Sequence, residues 1–333
     1  WRPSLVLPEP GQPNGLADLG GFWGLHPTLK TMHALYMAND LLPIQAVAGP
    51  NRSRSHFEAQ DMMEIGAEQR MTSGWLNRIA ALLPPPPHCD TAVTMAGRLP
   101  LVLHGPTPAT PWDPFHARPT ISEGFYANIA AMHASDPVVG SGLVTAERER
   151  TYVDRVMAGL SYDGVSFGFP RLARATGRLL AAADGPRLAE LDLDGWDTHA
   201  GQPRRLREAL GHLDEGIAEL RAGLAEVWER TAILVVTEFG RTVRANGDNG
   251  TDHGTATAAF MLGGTVNGGR VLADWPGVGR GQLFEDRDLQ STLDIRAVAK
   301  GLLGTHFGIP AEGLATVFPG SGAIAPAASL LRV

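Results

Sequence analysis

The chain has 333 residues, of which 44% are hydrophobic, enough to build the core of one large α/β domain or two ordinary domains. The 28 basic and 35 acidic residues give a net charge of −7 and are scattered along the chain, so there is no basic stripe that would follow a nucleic-acid backbone. No apolar run approaches the roughly 18 to 20 residues that cross a bilayer, and the single cysteine, Cys89, excludes an internal disulfide and a multi-cysteine zinc site. We therefore predict a globular protein with no nucleic-acid partner and no transmembrane segment.

The first predicted elements are a helix, a strand and a second helix. The segment "HPTLKTMHALYMAND" (26–40) predicts a helix, "LPIQAVA" (42–48) a buried strand, and "HFEAQDMMEIGAEQRM" (56–71) a helix that follows the polar turn "GPNRSRS". From about 84 to 123 the chain is dense in proline, which lacks the amide hydrogen and biases the preceding residue away from the helix. We predict an irregular insertion or cap there, within a single domain that spans 1–333.

The second half of the chain predicts two helices and then a strand, a long helix and a strand. "TAERERTYVDRVMAGL" (145–160) and "FPRLARATGRLLAAA" (169–183) are helical in pattern. Between 204 and 230, apolar residues recur at spacings of three and four and line one helical face. A coiled coil gives the same stripe, but the strands predicted on either side, 188–195 and 232–240, favour a helix that covers a sheet. We predict a βαβ unit with parallel strands, followed by a further strand at 255–264.

Polar clusters follow the predicted strands. In open parallel sheets, ligands gather at the carboxyl ends of strands, where loops and helix N-termini converge. Four clusters lie at such ends: Asp194, Asp197 and His199; Glu238 and Arg241; Asp252 and His253; and Ser53, Arg54, Ser55 and His56. We expect these four loops to meet.

The segment "DLDGWDTHAGQ" (192–202) has two interpretations. Aspartate and histidine together bind zinc, manganese or iron, and oxygen-rich sites also accept magnesium or calcium. An Asp-Gly pair after a strand is also an ordinary turn, and the nearby histidine is then a backbone hydrogen-bonding group. An EF-hand is a poor match, because the glycine stands at the fourth position and no glutamate at the twelfth. The adjacent Asp252 and His253, in a glycine-rich loop, add weight to the metal interpretation.

The segment "NRSRSHFEAQ" (51–60) also has two interpretations. Ser55 and Glu58 fit a capping box at the start of a helix. A serine at the positive end of a helix, beside Arg54, is also a candidate nucleophile for an anionic substrate, and Ser53 is a second candidate. Arg241 either pairs with Glu238 or binds an anion, and the pairing is favoured. No G-x-S-x-G elbow, P-loop or dinucleotide fingerprint is present in the sequence.

Several blocks, in their order along the chain, resemble the bacterial domain-of-unknown-function family 1501. They extend over nearly the whole chain and include "SRSHFEAQD", "GWDTHAGQ", "VVTEFGRTVRANGDNGTDHGTA", "GGRVLADWPG" and "RDLQSTLDIRAV". That family is similar to the alkaline phosphatase and sulfatase superfamily. The resemblance implies a mostly parallel central sheet sandwiched by helices, and hydrolysis or transfer of phosphate or sulfate esters at a one- or two-metal site. It also implies an exported, periplasmic protein with a twin-arginine signal upstream of Trp1.

The resemblance implies roles for individual residues as well. Asp252 and His253 match the superfamily's adjacent Asp-His ligand pair. Residues 194–199 match its earlier ligands, so the implied ligands of a divalent ion, Zn, Mn, Mg or Ca, are Asp194, Asp197, His199, Asp252 and His253. Ser55, or Ser53, lies where the superfamily keeps its nucleophile. Arg54 would then steady the oxygens of a small anionic ester or polysaccharide substrate.

The chain departs from the superfamily pattern at three points. It begins downstream of the first-strand aspartate that binds metal in the superfamily, as expected of a processed or truncated product. Only His306 follows His253, where the superfamily supplies a further ligand, and the spacing within 194–199 is not the usual Asp-x-x-x-His. Two hypotheses follow. One is a metal-dependent ester hydrolase with a serine nucleophile, and the other is a non-catalytic exported binding protein of the same fold with a structural metal site.

Overall fold

Helices and strands are interspersed along the chain in the computed structural model, which describes residues 1–113, 115, 123–136 and 139–332. The helices are α1 (Lys30–Met37), α2 (His56–Ile65), α3 (Trp75–Ala80), α4 (Glu123–Met132), α5 (Val139–Met157), α6 (Phe169–Ala181), α7 (Gln202–Leu224), α8 (Ile295–His306) and α9 (Ala311–Val317). The strands are β1 (Ala17–Asp18), β2 (Gly24–Leu25), β3 (Leu41–Ala48), β4 (Ala92–Thr94), β5 (Ala109–Pro111), β6 (Leu188–Glu190), β7 (Ile233–Val235), β8 (Thr257–Leu262), β9 (Leu283–Phe284), β10 (Asp288–Leu289) and β11 (Leu293–Asp294). The helices and strands predicted from the sequence on either side of the proline-rich segment are present.

A four-stranded sheet in the order β11, β3, β8, β7 lies at the centre of the fold. Strand β3 is apolar at every position except Gln45 and is buried along its length, as is typical of a strand covered on both faces. It pairs parallel to β11 and antiparallel to β8, and β8 in turn pairs antiparallel to β7. Because β3 and β7 therefore run in the same direction, their carboxyl ends and the start of β8 lie at one edge of the sheet.

A second sheet has three strands, β5, β4 and β6, and all of its pairings are parallel. Two of these strands, β4 and β5, come from the proline-rich segment at about 84–123. That segment also contributes buried side chains, among them Val93 and Leu103, so a part of it belongs to the core. Residues 114 and 116–122 of the segment lie outside the described residues.

The architecture is mixed α/β, and the sheets are less parallel than expected. The predicted βαβ unit is wrong in one respect. Strand β6 and strand β7 flank helix α7 in sequence, but they belong to different sheets and do not pair. Strand β8 is antiparallel to both of its neighbours, so the four-stranded sheet is mixed and not mostly parallel.

Helix α7 covers the four-stranded sheet. Leu213, Ile217 and Leu220 lie on its buried face and pack in one cluster with Met32 of α1 and Leu41 of β3. The apolar stripe therefore belongs to a sheet-covering helix, as the sequence favoured, and not to a coiled coil. None of the helices within the described ranges is both long and apolar enough to span a membrane.

Asp214 of α7 caps the start of α1. Its Oδ2 accepts a hydrogen bond from the Thr31 amide and its Oδ1 from the Met32 amide, each at 2.9 Å. Residue Leu29, at the N-cap position of α1, has no side chain that can do this. The buried carboxylate thus satisfies donors that α1 cannot satisfy itself.

We expect Asp214→Ala to lower the free energy of unfolding by about 2 kcal/mol, because one buried and one partly buried amide lose their acceptor. Urea unfolding measures the change. Glu208→Ala is the control, since Glu208 is an exposed acid of the same helix whose one ion-pair partner among the described residues is Arg204. Equal losses in the two variants would show that the cap contributes nothing specific.

Glu190, at the end of β6, gives the stability a dependence on pH. Burial raises the pKa of its carboxyl group to about 7, although the hydroxyl of Thr94 donates a hydrogen bond to it at 2.5 Å, which acts in the opposite direction. The folded protein therefore keeps this proton at a pH where the unfolded chain has lost it. Stability falls as pH rises from the unfolded pKa to about 7.

We expect the melting temperature of the wild type to fall more between pH 5 and pH 8 than that of Glu190→Gln, because glutamine has no proton to lose. Thermal unfolding of both proteins across this range tests the difference. Parallel curves would mean that Glu190 ionises without a penalty in the folded state.

Candidate metal centre

The edge of the four-stranded sheet brings three segments of the chain together. Residues 49–56 leave β3 at this edge and enter α2, residues 236–241 leave β7 there, and residues 252–256 approach β8. Hydrogen bonds join the last two segments: the Thr242 amide donates to Asp252 O at 2.9 Å, and the Gly254 amide to Gly240 O at 2.8 Å. This pairing places Arg241 directly opposite His253.

The fourth segment, residues 191–201, reaches the same place from the three-stranded sheet. The Thr251 amide donates to Thr198 O at 3.2 Å, and Asn246 Nδ2 donates to His199 O at 2.8 Å. The two loops approach so closely that a Cβ at Gly250 would lie 2.1 Å from His199 O. Glycine is therefore required at 250, since any side chain would push the loops apart.

The carboxylate of Asp197 is the centre of the cluster. Its Oδ1 lies 2.9 Å from Arg241 Nη1, 2.9 Å from His199 Nε2 and 3.0 Å from His253 Nε2, and its Oδ2 lies 3.5 Å from His56 Nε2. Burial alone would raise the pKa of Asp197. The hydrogen bond from Arg241 and the contacts with the imidazoles outweigh burial and hold that pKa well below its usual range. Asp197 is therefore an anion at neutral pH.

The other nitrogen of each imidazole faces a hydrogen-bond acceptor. His253 Nδ1 lies 2.8 Å from the carbonyl oxygen of Arg54, His56 Nδ1 lies 2.6 Å from Glu238 Oε1, and His199 Nδ1 lies 3.1 Å from Asp252 Oδ1. A ligating histidine in a metalloprotein nearly always donates its second N–H to such a carboxylate or carbonyl. All three imidazoles therefore form, through their second nitrogen, the hydrogen bond that is usual for a histidine that binds a metal ion.

The donor set fits a divalent transition ion. His56, Asp197 and His253 each offer one ligand atom, and these atoms lie within 4.8 Å of one another. His199 adjoins them, since its Nε2 lies 2.9 Å from His253 Nε2. Ligand atoms about 2.0 to 2.1 Å from a tetrahedral ion are about 3.3 Å apart, so small shifts would bring these four donors onto one ion.

The predicted metal ligands fall into three groups. Asp197, His199 and His253 converge. Asp252 lies against the ring of His199 and accepts a hydrogen bond from Asn246, so it holds an imidazole in place. These contacts lower the pKa of Asp252, and the hydrogen bond from Asn246 is the largest cause. Asp194 has an exposed carboxylate that forms no hydrogen bond or ion pair with the described residues.

The predicted nucleophile and its neighbours lie just before α2. Ser55 occupies the N-cap position, as the sequence predicted, but its hydroxyl forms no capping bond. Glu58 accepts the hydroxyl of Ser53 at 2.7 Å, and Ser53 Oγ accepts the Ser55 amide at 3.2 Å, so the capping box does not form in the predicted way. The guanidinium of Arg54 binds Glu285 at 2.7 Å and the fully buried Asp288. Its carbonyl is what faces the metal ligands.

Two residues differ from expectation. His56 was grouped with the polar loops but not assigned as a ligand, because it lies in a helix that the sequence alone does not orient. Its position one residue after a helix N-cap, at a strand's carboxyl end, was the only signal. The favoured pairing of Arg241 with Glu238 is wrong: Arg241 binds Asp197 and the Thr251 hydroxyl, and Glu238 binds His56.

Comparison with known proteins gives one match. Residues 171–318 match the family described as "Protein of unknown function (DUF1501)". The match supports the DUF1501 family. No curated protein and no solved structure matches the chain. The DUF1501 segment contains Asp197, His199 and His253, whereas His56 and Ser55 lie before it.

We expect Asp197→Ala to weaken the binding of a divalent transition ion by at least about 100-fold. This exceeds the loss expected for a residue that only forms a hydrogen bond to a ligand, because Asp197 would bind the ion itself. Asp194→Ala should bind the ion as the wild type does, because its carboxylate does not reach the other donors. Equilibrium dialysis followed by elemental analysis measures both. A larger loss in Asp194→Ala would show that Asp194 is the ligand, as the resemblance implied.

Proposed function

We propose that the chain is a metal-dependent hydrolase of phosphate or sulfate esters, in which Ser55 is the nucleophile. The proposal combines the superfamily resemblance with the geometry of the candidate centre. The ion would supply positive charge that lowers the pKa of a nearby hydroxyl and polarises the ester.

The observation that carries the proposal is the openness of the centre. The side chains of His56, Asp197 and His199 are 41%, 47% and 43% exposed, respectively. Structural metal sites are closed by four protein ligands and shielded by the fold, whereas catalytic sites leave a position that water or substrate can reach. Four protein donors can fill the tetrahedral positions of this centre, but donors that are nearly half exposed leave a face on which water or substrate can add as a fifth ligand, and this favours the catalytic kind.

Ser55 is suited to attack a substrate at this place. It is exposed, it precedes His56 directly, and its hydroxyl has no hydrogen-bond partner among the described residues. The first turn of the ten-residue helix α2 leaves amide N–H groups without helical partners, and these attract an anionic ester group. A serine hydroxyl that is not used for capping is free to react.

The reaction would proceed in two displacements. Ser55 Oγ forms a bond to phosphorus or sulfur while the bond to the leaving oxygen breaks, and the hydroxyl proton goes to solvent or to that oxygen. Water then attacks the serine ester, releases phosphate or sulfate, and returns the proton to Ser55. The amides of the first turn of α2 would bind the non-bridging oxygens in both steps.

Arg54 has a different part in this proposal from the one that the resemblance implies. Its guanidinium is already bound by Glu285 and Asp288, whose hydrogen bonds raise its pKa further. Its carbonyl accepts the Nδ1 proton of His253. Arg54 therefore holds the loop and one imidazole in place rather than steadying substrate oxygens.

We expect Ser55→Ala to lower turnover of a nitrophenyl phosphate or sulfate by at least about 100-fold while metal binding is retained, because the nucleophile is lost and the ligands are not. Ser53→Ala should keep most of the activity. Loss of turnover in Ser53→Ala alone would make Ser53 the nucleophile. A wild type that binds the ion and hydrolyses neither ester would favour the non-catalytic binding protein.

A further inference from the structure

The imidazole of His253 has a fixed tautomer. Its Nδ1 faces the Arg54 carbonyl, and a carbonyl oxygen can only accept, so Nδ1 must carry the proton. In the neutral ring, Nε2 then presents a lone pair, and Nε2 is the atom that faces Asp197 and His199. The hydrogen bond to the backbone carbonyl of Arg54 therefore leaves Nε2 of His253 available as a metal ligand.

Glu238 does the same for His56. Its Oε1 lies 2.6 Å from His56 Nδ1, and its Oε2 accepts the hydroxyl of Thr237 at 2.7 Å, so both oxygens of the carboxylate are in use. The side chain of Glu238 is only 19% exposed. A fixed carboxylate at Nδ1 favours the tautomer in which Nε2 of His56 is bare and faces Asp197 Oδ2.

A buried aromatic ring restricts the two imidazoles further. Phe239, which is 7% exposed, lies against both of them, with ring centroids 4.9 Å from His56 and 4.7 Å from His253. The two imidazoles also meet edge to face, with centroids 4.4 Å apart. Rotation of His56 away from the cluster would lose these contacts together with the bond to Glu238.

We infer that Glu238 is a positioning residue that makes His56 a third imidazole ligand, and that the centre thereby selects an imidazole-binding ion such as Zn²⁺ over Mg²⁺ or Ca²⁺. Three nitrogen donors and one carboxylate suit zinc-like ions, whereas Mg²⁺ and Ca²⁺ require shells of oxygen. The inference rests on the metal-binding part of the proposed function and does not depend on ester hydrolysis.

The first experiment measures metal preference in the metal-free wild type. Competition titrations with Zn²⁺, Co²⁺, Mg²⁺ and Ca²⁺ should give one site per chain, with Zn²⁺ bound at least about 100-fold more tightly than Mg²⁺ or Ca²⁺. Bound Co²⁺ should show the intense visible absorption of a four-coordinate ion. Comparable affinity for Mg²⁺ would overturn the selectivity.

The second experiment asks whether Glu238 acts through His56. Glu238→Ala should weaken Zn²⁺ binding by about 10- to 100-fold, and Glu238→Gln, which keeps an acceptor oxygen, should lose less. Asp248→Ala is the charge-matched control, because Asp248 is an exposed acid in the neighbouring loop whose side chain forms no hydrogen bond or ion pair with a histidine among the described residues. It should bind Zn²⁺ as the wild type does, and circular dichroism confirms that each variant is folded.

A double-mutant cycle completes the test. In a His56→Ala background, the further change Glu238→Ala should have no effect on Zn²⁺ affinity, because the ring that Glu238 holds is absent. A loss that persists in this background would show that Glu238 acts by another route and would overturn the inference. If the wild type binds no metal at all, both this inference and the proposed function are wrong. If it binds Zn²⁺ without turnover, only the hydrolase proposal fails.

Discussion

The candidate centre depends on one carboxylate. Asp197 stands on a loop that leaves the three-stranded sheet, yet every group it contacts belongs to the edge of the four-stranded sheet or to the same loop. Around it stand imidazole nitrogens at hydrogen-bonding distance from one another or from its oxygens. Two facing nitrogen lone pairs repel unless a proton or a cation lies between them, so this arrangement is stable only when positive charge occupies its middle. A divalent ion would supply that charge without using the protons of the outer nitrogens.

A buried chain of hydrogen bonds holds Asp197 in this place. The amide oxygen of Gln202 accepts the hydroxyls of Thr198 at 3.1 Å and Thr251 at 2.6 Å, and Thr251 Oγ1 accepts Arg241 Nε at 3.1 Å. Thr198 and Thr251 are almost completely inaccessible to solvent. Arg241, fixed in this way, donates its Nη1 to Asp197. Gln202, at the start of α7, therefore links the two loops that carry the candidate ligands. The positions of the half-exposed ligands are fixed by these buried polar groups.

The sequence predicts the elements of this fold better than their arrangement. The apolar run of β3 and the three-and-four spacing in α7 are local signals, and both elements are present where they were expected. The pairing of β6 and β7 was wrong because adjacency in a sheet depends on contacts between distant segments, which one sequence does not reveal. The strands β4 and β5 were hidden by the prolines around them. That the loops after β3 and β7 meet was predictable, because both strands run in the same direction and residues 252–256 belong to the long loop between β7 and β8.

The sequence predicts which loops form the cluster better than it predicts which of their side chains face the ion and which position another side chain. An adjacent Asp-His pair suggests two ligands of one ion, but in this structure the side chains of Asp252 and His253 meet different partners. His253 turns its Nε2 to the centre, and Asp252 instead meets the far nitrogen of His199. The fourth donor comes from His56, which stands outside the DUF1501 segment at the start of α2. The family segment supplies the carboxylate and two imidazoles, and the strand and helix that precede it supply the third imidazole and the serine beside it. A centre divided in this way forms only when β3 and β8 are paired, so the same backbone register that builds the central sheet also assembles the donors.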